Sequence, residues 1–265
     1  MKLAPRALPE LLAGRRIASV TGTNGKTTTT HFLTAAVRAE TPDGQRSVVT
    51  NADGANLHHG IVSALGQAPD ATIAVLETDE RVVADVVAMG SPEVLVLLNF
   101  SRDQLDRNHE LTFLGRNWRA ALEKAAEHGP TVVANACDPL IVWVCQKARH
   151  VIWVDTKPRW TADATLCPNC GAVLIHSDQG WDCPGCELQQ PAADWWVEDH
   201  DAVEASGRRF HLDVQVPGSF NLTNATCALA AAIHMGIQPE DALRGIATVK
   251  SPAGRYCLLY TSDAA

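Results

Sequence analysis

Residues 17–30 read Ile17-Ala18-Ser19-Val20-Thr21-Gly22-Thr23-Asn24-Gly25-Lys26-Thr27-Thr28-Thr29-Thr30. A short apolar run passes into a glycine turn, then Gly-Lys-Thr, then a segment with Phe32, Leu33, Ala36 and Val37 at helical spacing. The order is strand, loop, helix, and a loop of this build binds phosphate. Its backbone N–H groups turn inward where glycine permits tight curvature, and the following helix presents its positive end. Lys26 is placed to reach β- and γ-phosphates, and the Thr27 hydroxyl to ligate Mg²⁺. The common form, Gly-x₄-Gly-Lys-Ser/Thr, requires glycine at position 20, where Val20 stands. The loop is therefore the variant Thr-Gly-Thr-Asn-Gly-Lys-Thr. The competing reading is a plain glycine turn with a solvated Lys26. The strand–loop–helix context favours phosphate.

Outward from this stretch the chain alternates. Strands are predicted at Arg16–Val20, Ser47–Thr50, Thr72–Glu77, Glu93–Leu98, Thr131–Ala134 and His150–Val154. Between them lie helices at Thr27–Glu40, Arg81–Met89, Thr112–His128 and Asp138–Ala148, with an apolar segment ending near Leu65. Residues 1–15 form a helical lead-in. Glu93–Leu98 is almost wholly apolar, as for a strand covered on both faces. The pattern predicts an α/β fold with a doubly wound, mostly parallel sheet. Ligands of such sheets sit at the C-terminal ends of the strands, where Gly22–Thr27, Glu77 and Asn99 all fall.

Residues 163–191 interrupt the rhythm with Cys167-Pro-Asn-Cys170-Gly and Cys183-Pro-Gly-Cys186. Two Cys-x-x-Cys turns supply four thiolates for a closed, structural zinc site. Ala172–Ile175 and Trp181 suit a small hairpin between them. Buried free thiols or a redox pair are the alternatives. Cys137, Cys145, Cys227 and Cys257 lack such spacing and read as ordinary thiols. Beyond the insert, Trp195–Val197 and Arg209–Val216 read as strands, and Leu222–Met235 and Pro239–Thr248 as helices.

The chain has 265 residues, is 46% hydrophobic and carries a net charge of -8. That balance argues against nucleic acid as the main partner. No apolar run approaches the roughly 20 residues of a membrane span, and no signal peptide is visible. A cytoplasmic protein is expected.

Other polar positions carry two readings each. Glu77 ends an apolar strand and faces the phosphate loop. It reads as a Mg²⁺ ligand, direct or through water, or as a solvated strand-end carboxylate. Asp79 and Glu80 read as helix-start carboxylates. Asn99-Phe-Ser-Arg-Asp-Gln-Leu-Asp-Arg suits either ligand binding or a capped helix start. Asn221 reads as an N-cap, and Asn224, one turn on, as a reader of an adenine edge. His58 and His59 read as surface residues.

Thr21-Gly-Thr-Asn-Gly-Lys-Thr-Thr resembles the ATP-binding loop of the Mur ligase family, which includes the folylpolyglutamate synthetases. Asn51–Gly60, Glu77–Glu80, Leu98–Arg107 and the four-cysteine insert narrow the likeness to the amidating MurT-type branch, the ligase-like subunits of lipid II isoglutaminyl synthases. The resemblance spans residues 10–256. It implies that residues 1–162 and 192–255 form an ATP-binding central domain, with 163–191 inserted as a zinc ribbon. It also implies a reaction. ATP phosphorylates the α-carboxylate of D-glutamate in lipid II, and ammonia from a GatD-type glutaminase partner displaces phosphate to give D-isoglutamine. By position, Gly22, Asn24, Gly25, Lys26, Thr27 and Thr28 match the phosphate loop. Glu77 matches the magnesium glutamate, Asn221 and Asn224 the asparagines before the nucleotide helix, and Arg255 an arginine that contacts the nucleotide. Lys26 and Glu77 are then the catalytic pair.

The departures are specific. Where many family members have Asp-His, this chain has Asp103-Gln104. In place of a carbamoylated lysine stand Arg116 and Arg119, with no lysine until Lys124. A second Mg²⁺ held in the usual way is not implied. After Arg255 the likeness stops, and residues 256–265 match nothing expected of a third, C-terminal domain. The expectation is a truncated reading that binds ATP weakly and does not turn over. Two other functions fit the motifs: an amino-acid-adding ligase of the folylpolyglutamate synthetase type, and a zinc-stabilised nucleotide-binding module without catalysis.

Overall fold

The computed structural model describes residues 6–40, 47–51, 55–100, 108–125, 127–157 and 165–250. Its centre is a nine-stranded sheet. In chain order the elements are α1 (Ala7–Leu12), β1 (Arg16–Thr21), α2 (Lys26–Glu40), β2 (Val48–Thr50), α3 (His58–Gln67), β3 (Ile73–Glu77), α4 (Val83–Gly90), β4 (Val94–Leu97) and α5 (Asn108–Lys124). There follow β5 (Thr131–Asn135), α6 (Pro139–Cys145), β6 (His150–Val154), β7 (Ile175–Ser177), β8 (Gly180–Asp182), β9 (Trp195–Glu198), β10 (Asp201–Glu204), β11 (Arg209–His211), α7 (Phe220–His234) and α8 (Pro239–Ile246).

The strand order is β11-β10-β9-β6-β5-β4-β1-β3-β2. From β2 to β9 every pairing is parallel, and β9, β10 and β11 are antiparallel. Every residue of β3 and β4 is buried, and successive side chains enter opposite layers. In β4, Val94 and Val96 pack against α2, α7 and α8, while Leu95 and Leu97 pack against α4, α5 and α6. Ile17, Val49, Ala74 and Leu76 meet α1 and α3 on the latter side. An all-apolar strand such as Val94-Leu-Val-Leu is what a layer covered on both faces requires. On α7, Ala225, Ala228, Ala230, Ala231 and Ala232 are all buried. Their small side chains let this helix lie close to the sheet and to α2.

The chain therefore has the expected α/β architecture, with three differences. The edge is a three-stranded meander, whereas the sequence suggested two strands. Asp201-Ala-Val-Glu is too short and too acidic to show an alternation, and it forms because Ala202 and Val203 are buried between its neighbours. The strand expected over Arg209–Val216 ends at His211, although Leu212 and Val216 still enter the core. Asp79 and Glu80 do not start a helix, since α4 begins only at Val83. Asp79 pairs with Arg81 and Glu80 with Lys26.

The insert leaves the sheet after β6 and returns at β9, where Val154 registers with Trp195. Between them β7 and β8 pair antiparallel. Leu174, Trp181 and Leu188 form a small core of their own with Val142 of α6. The Trp181 indole N–H donates to the Ala136 carbonyl at 3.3 Å and ties the insert to the end of β5. Among the described residues no helix is long and apolar enough to cross a membrane.

Candidate functional site

The strand order reverses around β1, which lies between β3 and β4 although β2 follows it in the chain. At such a switch point the connections leave in opposite directions, and a crevice opens beyond the strand ends. Gly22 to Lys26 fills that position. Gly22 has φ +140° and Gly25 has φ +86°. A Cβ on Gly22 would lie 2.9 Å from the Asn99 backbone nitrogen and 2.9 Å from the Leu98 Cβ. One on Gly25 would lie 2.8 Å from the Asn224 Oδ1. The two glycines are thus required by both conformation and space.

The loop is held by an asparagine. The Asn24 N–H donates to Asn99 Oδ1 at 2.9 Å, and Asn99 Nδ2 donates to the Asn24 carbonyl at 3.0 Å. The Thr23 N–H adds a bond to the Asn99 carbonyl at 2.8 Å. The side-chain amide of Asn99 pairs with the Asn24 backbone as a neighbouring strand would. Asn51 does the same to Glu77, accepting from its N–H and donating to its carbonyl, each at 2.8 Å. Asn135 bridges the Leu98 carbonyl and the Cys137 N–H. Three asparagines at the ends of β2, β4 and β5 thus fix the backbone of this edge. The sequence reading gave Asn99 two roles, ligand or cap, and assigned none to Asn51 or Asn135. Their shared signal was position, an amide directly after a buried strand.

Glu77 is fully buried, yet its carboxylate is only half satisfied. Oε1 accepts from Asn56 Nδ2 at 2.9 Å, and Oε2 has no partner among the described residues. The Thr27 hydroxyl is in the same condition. A polar oxygen left bare in the interior is costly. Two such oxygens, flanking a phosphate loop, form a hard-oxygen donor set suited to a divalent cation of the magnesium kind. Glu77 is no solvated strand-end carboxylate. Glu77→Gln keeps the shape and the bond from Asn56, but exchanges the bare oxygen for an N–H donor. In the full-length gene product it should lower the rate of ATP turnover about a hundredfold, or about 2.7 kcal/mol, with little change in thermal midpoint. Steady-state rates against Mg²⁺ concentration would check this.

Asn221 is the second residue of α7, not its cap. Ser219 precedes the helix, and the Asn221 amide donates to the Pro217 carbonyl at 2.8 Å. Asn224 donates to Asn221 Oδ1 at 3.0 Å and stands against Gly25. The pair therefore abuts the phosphate loop. Thr28 lies half-buried in the first turn of α2. Arg255, Asp103 and Gln104 lie outside the described residues. His58 is less idle than its surface placement suggested, because its Nε2 lies 2.7 Å from Asp85 Oδ2.

The second cluster is the insert's four thiols. The sulfurs of Cys167, Cys170, Cys183 and Cys186 all lie within 4.8 Å of one another. All-sulfur, four-ligand chemistry suits zinc in a closed site. Burial pushes the Cys167 thiol up to about 12. Cys186 is drawn down to about 6, chiefly by a hydrogen bond from the Asn169 side chain and also by the Leu188 N–H. Asn169 Oδ1 in turn accepts from the Trp143 indole at 3.3 Å, and Arg119 lies over the Trp143 ring at 4.6 Å. Cys137 is separate. Burial and the neighbouring Asp155 push it up to about 12, which leaves it an unreactive thiol.

A family model described as "Mur ligase middle domain" matches residues 20–179. The MurT subunit of lipid II isoglutaminyl synthase (glutamine-hydrolyzing) from Staphylococcus aureus (strain COL) is 27% identical over 257 residues. That alignment covers 90% of this chain and 57% of the relative. Its counterpart from Streptococcus pneumoniae (strain ATCC BAA-255 / R6) is 28% identical over 278 residues, covering 97% and 61%. The chain thus spans less than two thirds of the length of either. A solved pseudomurein peptide ligase type C from Methanothermus fervidus superposes with a TM-score of 0.66 at 20% identity, over 92% of this chain and 52% of that one. That likeness speaks to the fold. With a middle-domain match over more than half its length and a variant phosphate loop at the switch point of its sheet, the chain belongs to the Mur ligase family.

Proposed function

We propose that this chain is the ATP-binding part of a carbon–nitrogen ligase that amidates the α-carboxylate of D-glutamate in lipid II. The observation that carries the reading is the four-thiol insert inside a Mur ligase middle domain, in a chain whose relatives above are MurT subunits. On this reading residues 1–162 and 192–255 are the central domain, and 163–191 the ribbon.

A carboxylate does not exchange its oxygen for nitrogen unaided, because the leaving group is too basic. Transfer of the γ-phosphoryl group of ATP to that oxygen turns it into phosphate, a good leaving group. Ammonia then attacks the acyl carbon, the C–O bond to phosphate breaks, and the products are amide, ADP and inorganic phosphate. The phosphate loop binds and orients the triphosphate through its backbone N–H groups. Lys26 offsets the charge that gathers on the transferring group. Glu77 and Thr27 would hold a Mg²⁺ ion, which supplies further neutralisation there. Ammonia comes from a partner glutaminase, as the glutamine-hydrolyzing name of the relatives suggests. Lipid II is met at the membrane surface by a chain with no spanning helix among its described residues.

The test is the choice of nucleophile. The full-length gene product is incubated with ATP, Mg²⁺ and lipid II, and ADP release is followed with ammonium or with free amino acids. Ammonium is expected to support release and to convert the carboxyl to a carboxamide by mass. Release driven by an amino acid, with ammonium inert, would replace this reading with an amino-acid-adding one.

A further inference from the structure

Lys26 should be the residue freest to meet phosphate, and it is fully engaged. An ammonium has three N–H donors. Here one goes to the Gly22 carbonyl, one to the Thr23 carbonyl at 3.3 Å, and one to Glu80 Oε1 at 3.1 Å. The Lys26 and Glu80 side chains are only 11% and 18% exposed, so the contact is shielded from water and salt more than a surface pair is. Glu80 is also fixed from behind. The Trp118 indole donates to its carbonyl at 2.8 Å. Trp118 is itself 1% exposed and packs on Phe100 with ring centroids 4.4 Å apart. The Glu80 main chain, from which the carboxylate reaches Lys26, is thus held by a rigid support on α5.

We propose that Glu80 is an internal counter-ligand, which the terminal phosphates of the nucleotide must displace from Lys26. The inference rests on the phosphate-loop reading above. Without nucleotide, the loop lysine would otherwise be a partly desolvated cation with one donor unused. Glu80 satisfies it and holds the loop in its bound shape. The same contact weakens nucleotide affinity, because binding must first break it. Glu80 thereby sets how strongly anionic a ligand must be to recruit Lys26. A terminal phosphate bearing more than one negative charge competes with a carboxylate, and a singly charged group competes poorly.

The test uses wild type, Glu80→Gln, Lys26→Met and the double variant, with ATP and Mg²⁺ titrated calorimetrically and thermal midpoints measured alongside. Glu80→Gln should leave the midpoint nearly unchanged, because the Trp118 bond uses the main chain. It should tighten ATP binding about fivefold, which is about 1 kcal/mol. In the Lys26→Met background the same change should have no effect, which a purely structural role or simple repulsion would not produce. Binding unchanged or weakened in Glu80→Gln, with wild type still binding, would overturn the inference and leave the phosphate-loop reading intact. An equal gain in the Lys26→Met background would overturn it in favour of direct repulsion. Failure of both folded wild type and Glu80→Gln to bind would overturn the phosphate-loop reading, and this inference with it.

Discussion

Gly25→Val should weaken nucleotide binding at least about a hundredfold while the domain stays folded. The reason lies in two separate costs. Gly25 has φ +86°, a region that a β-branched residue enters at a penalty of roughly 1–2 kcal/mol. Its new Cβ would also stand 2.8 Å from Asn224 Oδ1. Asn224 can escape only by giving up its bond to Asn221, worth about 1 kcal/mol. Neither cost alone unfolds a domain of this size. Both fall on the surface that must close around phosphate, and relief of either moves the Asn24 or Lys26 backbone out of place. The expected loss of ATP affinity is at least about a hundredfold, or about 2.7 kcal/mol, with the thermal midpoint lowered by only a few degrees. Calorimetric titration beside a melting curve would check both. Undiminished affinity would mean that phosphate is bound elsewhere.

If the four thiols hold zinc as proposed, its removal should melt residues 165–191 and leave the sheet standing. Residues 165–191 contribute few apolar side chains, chiefly Leu174, Trp181 and Leu188, which pack on Val142. A core that small cannot hold an ordered hairpin by burial alone. In comparable small domains a structural zinc site contributes about 10–16 kcal/mol of apparent binding energy. The sheet does not depend on it, since β6 and β9 meet directly through Val154 and Trp195. Cys183→Ser, or treatment with a strong chelator, should therefore release about one zinc per chain. Trp181, 4% exposed, should shift its emission to the red as water reaches it. Hydrogen exchange should rise in β7 and β8 while β1, β3 and β4 remain protected. Retained protection of β7 and β8 in metal-free protein would show that the insert is held by packing instead.

The sequence made much of this legible because its strongest signals are local. A strand, Gly22 and Gly25-Lys26-Thr27 occur in one stretch, and paired Cys-x-x-Cys turns need no partner elsewhere to be read. Buried parallel strands were plain for the same reason, as runs such as Val94-Leu-Val-Leu have no amphipathic competitor. What stayed hidden depends on contacts distant in the chain. The Glu80 carboxylate meets Lys26 across 54 positions, so nothing near Glu80 marks it as more than a helix-start acid. The Asn51 amide reads the Glu77 backbone, and the Asn99 amide that of Asn24, from neighbouring strands whose order the sequence does not state. Asn221 looked like a cap because caps and asparagines coincide so often, whereas Ser219 precedes the helix. The strand Asp201–Glu204 was missed because its partners supply the burial its own pattern lacks.

The family places the fold, and the buried, unpartnered oxygens of Glu77 and Thr27 could hold a divalent cation. On the proposed reading, this edge transfers a phosphoryl group to a carboxylate. The most direct measurement uses lipid II whose D-glutamate α-carboxylate carries oxygen-18 at both oxygens, incubated with the full-length gene product, ATP, Mg²⁺ and ammonium. One labelled oxygen is expected in the inorganic phosphate for each carboxamide formed, because that oxygen leaves bound to phosphorus. Carboxamide formation with unlabelled phosphate would contradict that reading.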